Sequence, residues 1–215
     1  MKHCIPINPI AAILLLCIVI TPLGAQEEGR DILEERRDVL RYGIDSEVVG
    51  LLETLRNEEE DELNPEVLDI YRNSRNSELR TEAAKLFTEF KYPKAKEAVV
   101  AVLEEYPEGE KLILSSLEYL SALEARDQVG LIESYTDSEN PSVAAKAVGV
   151  LGALGSGEHA ARLQEIYEED SRPGSVRAEA LSALGRLGGE ESTEFLIRIL
   201  EDESQERSYR WRACQ

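Results

Sequence analysis

Residues 176–188, with the sequence VRAEALSALGRLG, decide the fold of this chain because copies of the stretch recur along it. Five further segments align with it, the last two more weakly: 79–87, 143–152, 209–213, 47–52 and 113–117. Self-similarity at a fixed period is the signature of a repeat architecture, in which neighbouring copies stack on one another. We therefore interpret each copy as the first helix of a repeating unit.

A small residue stands in the middle of each copy and sets the period. The six positions are separated by 33, 33, 31, 33 and 33 residues: Gly50, Ala83, Ser116, Ala147, Ala180 and Ala213. Two helices approach closely only where no long side chain holds them apart, so a recurring small residue indicates a recurring helix–helix contact. The spacing predicts one common register for all six copies.

A second amphipathic stretch completes each repeat. The five stretches lie at 65–72, 93–105, 125–136, 158–169 and 191–201. Their apolar residues fall at steps of three and four, which lays a stripe along one side of a helix. After residue 25, no stretch alternates with period two for long enough to predict a strand. The sequence thus predicts an all-α fold, an α-solenoid of stacked antiparallel helix pairs with about five repeats and a partial sixth.

The predicted domain boundaries follow from this pattern. Residues 26–45 are expected to form an N-terminal capping helix, and residues 46–215 the solenoid. The last repeat is incomplete, because the sequence reaches Gln215 before a second helix can follow. We expect either that the chain is a fragment of a longer solenoid or that Trp211 and its apolar neighbours form an unusual cap.

Residues 1–25 have the layout of a secretory signal peptide. Lys2 and His3 precede an apolar run at 10–20, and Leu23 and Ala25 stand at the positions that a signal peptidase reads. The run is too short for a comfortable permanent span, so we expect cleavage after Ala25, no membrane span afterwards, and a periplasmic or secreted protein. Lipid attachment at Cys17 is the alternative, although Leu16 is larger than such sites generally accept. After cleavage only Cys214 remains, so no intramolecular disulfide is expected.

The charge balance restricts the partners. With 43 acidic and 24 basic residues, the chain carries a formal net charge of -19. A field of that sign repels phosphate backbones and anionic membrane surfaces, which argues against nucleic acid and allows basic partners. The charge also solvates helix surfaces, and this simpler reading stays open.

The recurring motif resembles the HEAT repeat, and within that family the bacterial repeats similar to the bilin-lyase type. Their first helix reads Val-Arg-x-x-Ala-x-x-Ala-Leu-Gly-x-Leu-Gly, which residues 176–188 match at every defined position and residues 143–155 at most of them. The resemblance implies the solenoid fold but not a function, because these repeats serve unrelated tasks. Arg80, Arg177 and Arg210 occupy the arginine position, but Ala144 does not, so a ladder from arginine to carboxylate between repeats is expected to be interrupted.

Residues that would carry chemistry are scarce. His159 is the only histidine after residue 3 and has no second histidine or cysteine near it, so we predict no metal, no cofactor and no enzyme activity. The acidic run at 58–62 is interpreted as a solvated loop. Tyr71, Tyr135 and Tyr167 form a column near the ends of the second helices. Packing in the core is the favoured reading for the column, and hydroxyls emerging on the concave side to bind a peptide are the alternative.

These observations lead to a functional prediction. We expect an exported, non-catalytic scaffold whose second helices line a concave, acidic surface that grips a basic or extended protein segment. Two alternatives stay open: a lyase-like or chaperone-like role on a tetrapyrrole, which only the family resemblance implies, and one arm of a larger envelope assembly. The sequence does not define the oligomeric state.

Overall fold

The computed structural model describes residues 23–105 and 109–214, with side chains from residue 32 onward. Within these residues the chain is helical throughout, and no strand occurs. The α-helices of the described residues are α1 (Leu23–Tyr42), α2 (Asp45–Asn57), α3 (Asn64–Asn73), α4 (Ser77–Glu89), α5 (Lys96–Glu104), α6 (Glu110–Ala122), α7 (Val129–Ser134), α8 (Pro141–Leu154), α9 (Ala160–Glu168), α10 (Gly174–Leu187), α11 (Glu190–Glu201) and α12 (Arg207–Arg212). Single 3-10 turns precede α5, α7 and α9, and another follows α7.

The chain divides into two compact units, Met1–Arg36 and Arg37–Gln215. In the first unit, residues 23–36 belong to α1, and the predicted signal peptide lies outside the described residues except for its last three positions. The predicted capping helix at 26–45 corresponds to α1, which begins at Leu23 and ends at Tyr42. The second unit contains all the repeats.

The repeats of the second unit form two layers. The even-numbered helices α2 to α12 form the first-helix layer, in which each helix packs beside the next, most extensively where α8 meets α10. The odd-numbered helices α3 to α11 form the second-helix layer and pack against the first helix that follows them. Helices of the second layer contact one another at far fewer residues. This arrangement confirms the predicted all-α solenoid of stacked helix pairs.

The column of small residues accounts for the close approach within the first-helix layer. Ala83, Ser116, Ala147 and Ala180 are fully buried. Gly152 marks the tightest approach, because a Cβ built there would lie 2.5 Å from both Cα and Cβ of Ala183. A backbone so close leaves no room for even one methyl group.

The first copy does not follow the predicted register. Gly50 is exposed, and a Cβ added to it would meet nothing within 4 Å. Leu52 is buried instead and stands 31 residues before Ala83. The assignment of Gly50 to the small-residue column was therefore wrong, because α2 places a leucine where the later copies have an alanine or a serine.

Asparagine side chains define where two of the first helices begin. Asn76 accepts backbone N–H groups at the start of α4, with Oδ1 2.9 Å from the nitrogen of Glu78. Asn140 does the same for α8, where Pro141 occupies the first turn. Such caps satisfy donors that a helix start leaves without partners. The Asn76 amide also donates to Asp45 at 2.7 Å, so the cap joins neighbouring repeats.

A side-chain donor caps the carboxyl-terminal end of each second helix. The donor–acceptor pairs are Arg80 Nε to the Tyr71 carbonyl (3.1 Å), the Tyr135 hydroxyl to the Leu103 carbonyl (2.6 Å), Arg172 Nη1 to the Thr136 carbonyl (2.7 Å), Arg177 Nε to the Tyr167 carbonyl (2.7 Å) and Arg210 Nε to the Leu200 carbonyl (3.0 Å). The last carbonyls of a helix have no partner within the helix, so these donors satisfy groups that would otherwise be unpaired.

This capping corrects the predicted role of the repeated arginine. Arg80, Arg177 and Arg210 donate to backbone carbonyls and do not form the ladder to carboxylates. Among the described residues only Arg177 adds a carboxylate partner, Asp170 at 3.0 Å. Ala144 cannot supply a donor to the helix end that follows α7, and Arg172 supplies one in its place by donating to the Thr136 carbonyl. Helix dipoles favour cations at this end, which explains the preference for arginine.

Candidate partner-binding groove

The three tyrosines predicted from the sequence lie in the core. Tyr71, Tyr135 and Tyr167 are buried, with at most 4% of their surface exposed. The Tyr135 hydroxyl is used in the cap of α5, and the Tyr167 hydroxyl donates to Gln205 at 2.7 Å. The alternative in which these hydroxyls emerge as a peptide-binding platform is therefore contradicted, and the favoured reading of core packing describes their position.

Tyr71 differs from the other two because its hydroxyl has no hydrogen-bond partner of acceptable geometry. The Ser116 hydroxyl beside it likewise has no hydrogen-bond partner of acceptable geometry. Its proximity lowers the pKa of Tyr71, but less than burial raises it. Burial dominates and raises the pKa of Tyr71 to about 12. The hydroxyl consequently stays neutral, and the pair is a weak point of the core rather than a site.

A groove of about 550 Å³ lies on the first-helix layer, where α6, α8 and α10 stand side by side. Its floor belongs to α8, and its walls come from the two flanking helices. This groove does not involve the second helices, so the predicted concave surface of those helices stays a prediction. The first helices approach one another more closely than the second helices do, so residues from three successive repeats meet here.

The sequence of α8 creates the depression. Ala145, Gly149 and Ala153 follow one another at steps of four and share one face of the helix. None of them has a side chain beyond Cβ, whereas the neighbouring helices carry longer residues at the groove edge. At Gly149 an added Cβ would lie 2.8 Å from a carboxylate oxygen of Glu179, the flexible end of a side chain that would have to shift to admit it.

The two basic residues that line this cavity, Lys146 and Arg186, are each in an ion pair. Lys146 contacts Glu118 across the α6–α8 boundary, and Arg186 contacts Glu179 at 2.5 Å on α10. Arg186 also donates to the carbonyl of Gly149 at 3.3 Å. Partial burial lowers the pKa of Lys146, and the Glu179 carboxylate opposes that shift. The charges at this groove are therefore balanced, and the acidic surface expected on the second helices stays a prediction.

A second cavity of about 310 Å³ continues the groove toward α12. It shares Arg186 with the first and adds Leu196 of α11 and Arg212 of α12. Arg212 Nη1 donates to the Ser182 hydroxyl at 3.3 Å. We refer to the two cavities together as the first-helix groove. No motif marks it in the sequence, although the alanine–glycine–alanine spacing of α8 is a signal that could have indicated it.

Other candidate chemistry is limited in the described residues. There, no group of three or more His, Cys, Asp or Glu side chains is placed to hold a metal ion. His159 lies in the 3-10 turn before α9, and its Nδ1 accepts the backbone N–H of Ser156 at 3.0 Å. None of the helices from 23–105 and 109–214 combines the length and apolar character needed to cross a membrane.

Residues 129–215, about two fifths of the chain, match the family model described as HEAT repeats. No curated protein matches the chain. The match places HEAT repeats at residues 129–215, and the stacked helix pairs of the described residues share that architecture. HEAT repeats are helical scaffolds that commonly mediate protein–protein interaction. The finer likeness to bilin-lyase-type repeats stays a prediction.

Proposed function

We propose that the chain is a non-catalytic scaffold that binds an extended protein segment in the first-helix groove. The observation that carries the proposal is the groove itself, which crosses three successive repeats over a floor of small residues. At Ala145, Gly149 and Ala153, where α8 carries no side chain beyond Cβ, the backbone of a bound segment can approach the helix closely. The mixed, mutually paired charges at its edges offer polar partners to that backbone and its side chains.

The charge of the groove refines the expected partner. The net charge of -19 favours a basic partner for the chain as a whole. However, Glu179 in the groove and Glu118, which contacts the groove residue Lys146, each already have a basic neighbour. An extended segment is therefore supported by the groove, whereas the basic character of the partner rests on the net charge alone.

A tryptophan in the groove tests this function. Ala153 is exposed on the groove floor, so Ala153→Trp fills the groove without disturbing the core. Ala161 is equally exposed on α9, which belongs to the other layer, and Ala161→Trp is the matched control. The full chain and both variants are exposed to a displayed library of random peptides, and the affinities of selected peptides are measured.

We expect the unsubstituted chain and Ala161→Trp to bind the selected peptides equally. Ala153→Trp should weaken them at least about tenfold, which corresponds to the loss of about 1.4 kcal/mol. Failure to select any peptide, or equal binding by Ala153→Trp, would refute the proposal.

We further propose that this scaffold acts outside the cytoplasm. The support is the layout of residues 1–25, with Lys2, the apolar run at 10–20 and Ala25 before the expected cut. Intact-mass measurement of the chain expressed in a bacterium with an envelope distinguishes the alternatives. Loss of residues 1–25 is expected. A lipid-modified Cys17 or an unprocessed chain would each refute cleavage after Ala25.

A further inference from the structure

Two arginines and a hydroxyl line the cavity at the α12 end of the first-helix groove. Arg186 reaches it from α10 and Arg212 from α12, and the Ser182 hydroxyl lies between these helices. Arg212 donates to that hydroxyl through Nη1 at 3.3 Å. Two guanidinium groups therefore border one space of about 310 Å³.

The hydrogen-bond pairing of Arg212 is unusual for this chain. Acidic residues outnumber basic ones by 43 to 24, so an arginine readily finds a carboxylate. Among the described residues, Arg212 nevertheless makes no ion pair, and its hydrogen bond is to the neutral Ser182. Arg186 uses one nitrogen, Nη2, for both Glu179 and the Gly149 carbonyl. Arg212 thus presents guanidinium donors that no anion of the described residues pairs with, whereas Arg186 beside it is paired with Glu179.

We infer that this cavity binds the carboxylate of an aspartate or glutamate in the segment that occupies the groove. The inference rests on the proposed function, because it assigns a subsite to the same groove. A planar guanidinium offers paired N–H donors that match the two oxygens of a carboxylate. Leu181 and Leu196 supply apolar walls for the methylene groups of such a side chain, and Gly185 leaves room for the backbone.

A singly charged group fits the cavity better than a phosphate. Glu179 holds Arg186 at the edge of the cavity, so a dianion would lie close to a negative group. The field of a chain with a net charge of -19 also opposes a dianion more strongly than a monoanion. The ligand is accordingly a carboxylate on an extended peptide.

Three degenerate peptide libraries test the assignment. Each fixes its central residue, as glutamate, glutamine or phosphoserine, and leaves the flanking residues random. The probes are the full chain, Arg212→Gln, and the control Arg207→Gln, in which an exposed arginine outside the groove on the same helix is changed. Arg212→Lys is a further probe, because it keeps the positive charge but removes the planar guanidinium with its paired N–H donors. Circular dichroism verifies the helical content of each variant.

We expect the full chain and Arg207→Gln to prefer glutamate over glutamine at least about tenfold. Arg212→Gln should bind both libraries equally, and Arg212→Lys should show an intermediate preference. Equal binding of glutamate and glutamine by the full chain overturns the carboxylate site while leaving the groove function intact. Preference for phosphoserine, or an unchanged preference in Arg212→Gln, also overturns it. Absence of binding to every library overturns both proposals.

Discussion

Replacing Tyr135 by phenylalanine measures how much one side-chain cap contributes to the free energy of unfolding. In the folded chain the Tyr135 hydroxyl lies 2.6 Å from the Leu103 carbonyl, and both residues are buried. Phenylalanine keeps the ring and its packing but leaves this carbonyl, in the last turn of α5, without its donor. An unpaired buried acceptor costs about 1–3 kcal/mol, so the free energy of unfolding should fall by about that amount.

Tyr71 supplies the matched control, because it occupies the equivalent column and its hydroxyl has no hydrogen-bond partner. Tyr71→Phe removes a buried hydroxyl that makes no hydrogen bond of acceptable geometry. We therefore expect the free energy of unfolding to stay within about 0.5 kcal/mol or to rise. The carbonyl of residue 71 remains capped by Arg80 in this variant.

Urea denaturation followed by far-ultraviolet circular dichroism measures both changes. Stability in a repeat protein is a sum of local terms, so the comparison holds only if the dependence on urea concentration is the same for all three proteins. Equal destabilisation by the two substitutions would show that the hydroxyl-to-carbonyl bond carries no special weight. A larger loss for Tyr71→Phe would refute the reasoning outright.

Three further predictions rest on the same structure. Gly152→Ala should destabilise the fold by about 1–3 kcal/mol in urea denaturation because its Cβ meets the backbone of α10, whereas Gly50→Ala should stabilise it by up to about 1 kcal/mol; a reversed order would refute the register described above. In an alkaline titration followed by circular dichroism, the free energy of unfolding should be unaffected by Tyr71 below about pH 10 and should fall as the pH rises to about 12. The reason is that Tyr71 ionises at a lower pH in the unfolded chain than in the folded one, so Tyr71→Phe should reduce the fall. Arg172→Ala should lower the thermal midpoint by several degrees by uncapping the helix end that follows α7, whereas Arg75→Ala, at an exposed arginine with no ion pair in the described residues, should leave it unchanged.

The repeat architecture could be predicted because it depends on spacing alone. Steps of three and four specify helices, and a period near 33 residues specifies their stacking. Buried Ala83, Ala147 and Ala180 confirm that a recurring small residue marks a close contact. The same logic failed at Gly50, because glycine also occurs at exposed positions where no helix packs. Sequence spacing does not distinguish such a glycine from one at a helix–helix contact.

The groove could not be predicted from the sequence because it depends on how closely the helices of each layer approach one another and on which charges pair. The period is the same for first and second helices, so it does not reveal which layer packs more closely. The net charge counts carboxylates such as Glu118 and Glu179 without showing that Lys146 and Arg186 neutralise them. Likewise the gap at Ala144 says nothing about Arg172, which lies 28 residues further along and reaches back to the same helix end.

The caps of the second helices also give the solenoid a direction. Every donor described above lies later in the chain than the carbonyl that it satisfies, by nine or ten residues for Arg80, Arg177 and Arg210 and by more for the other two. During synthesis each second helix therefore leaves the ribosome before the residue that caps its last carbonyls. The carboxyl-terminal end of the most recently made second helix stays uncapped until that residue has been added. Removing repeats from the carboxyl-terminal side uncaps the helix that remains, whereas removing them from the amino-terminal side leaves every surviving cap in place.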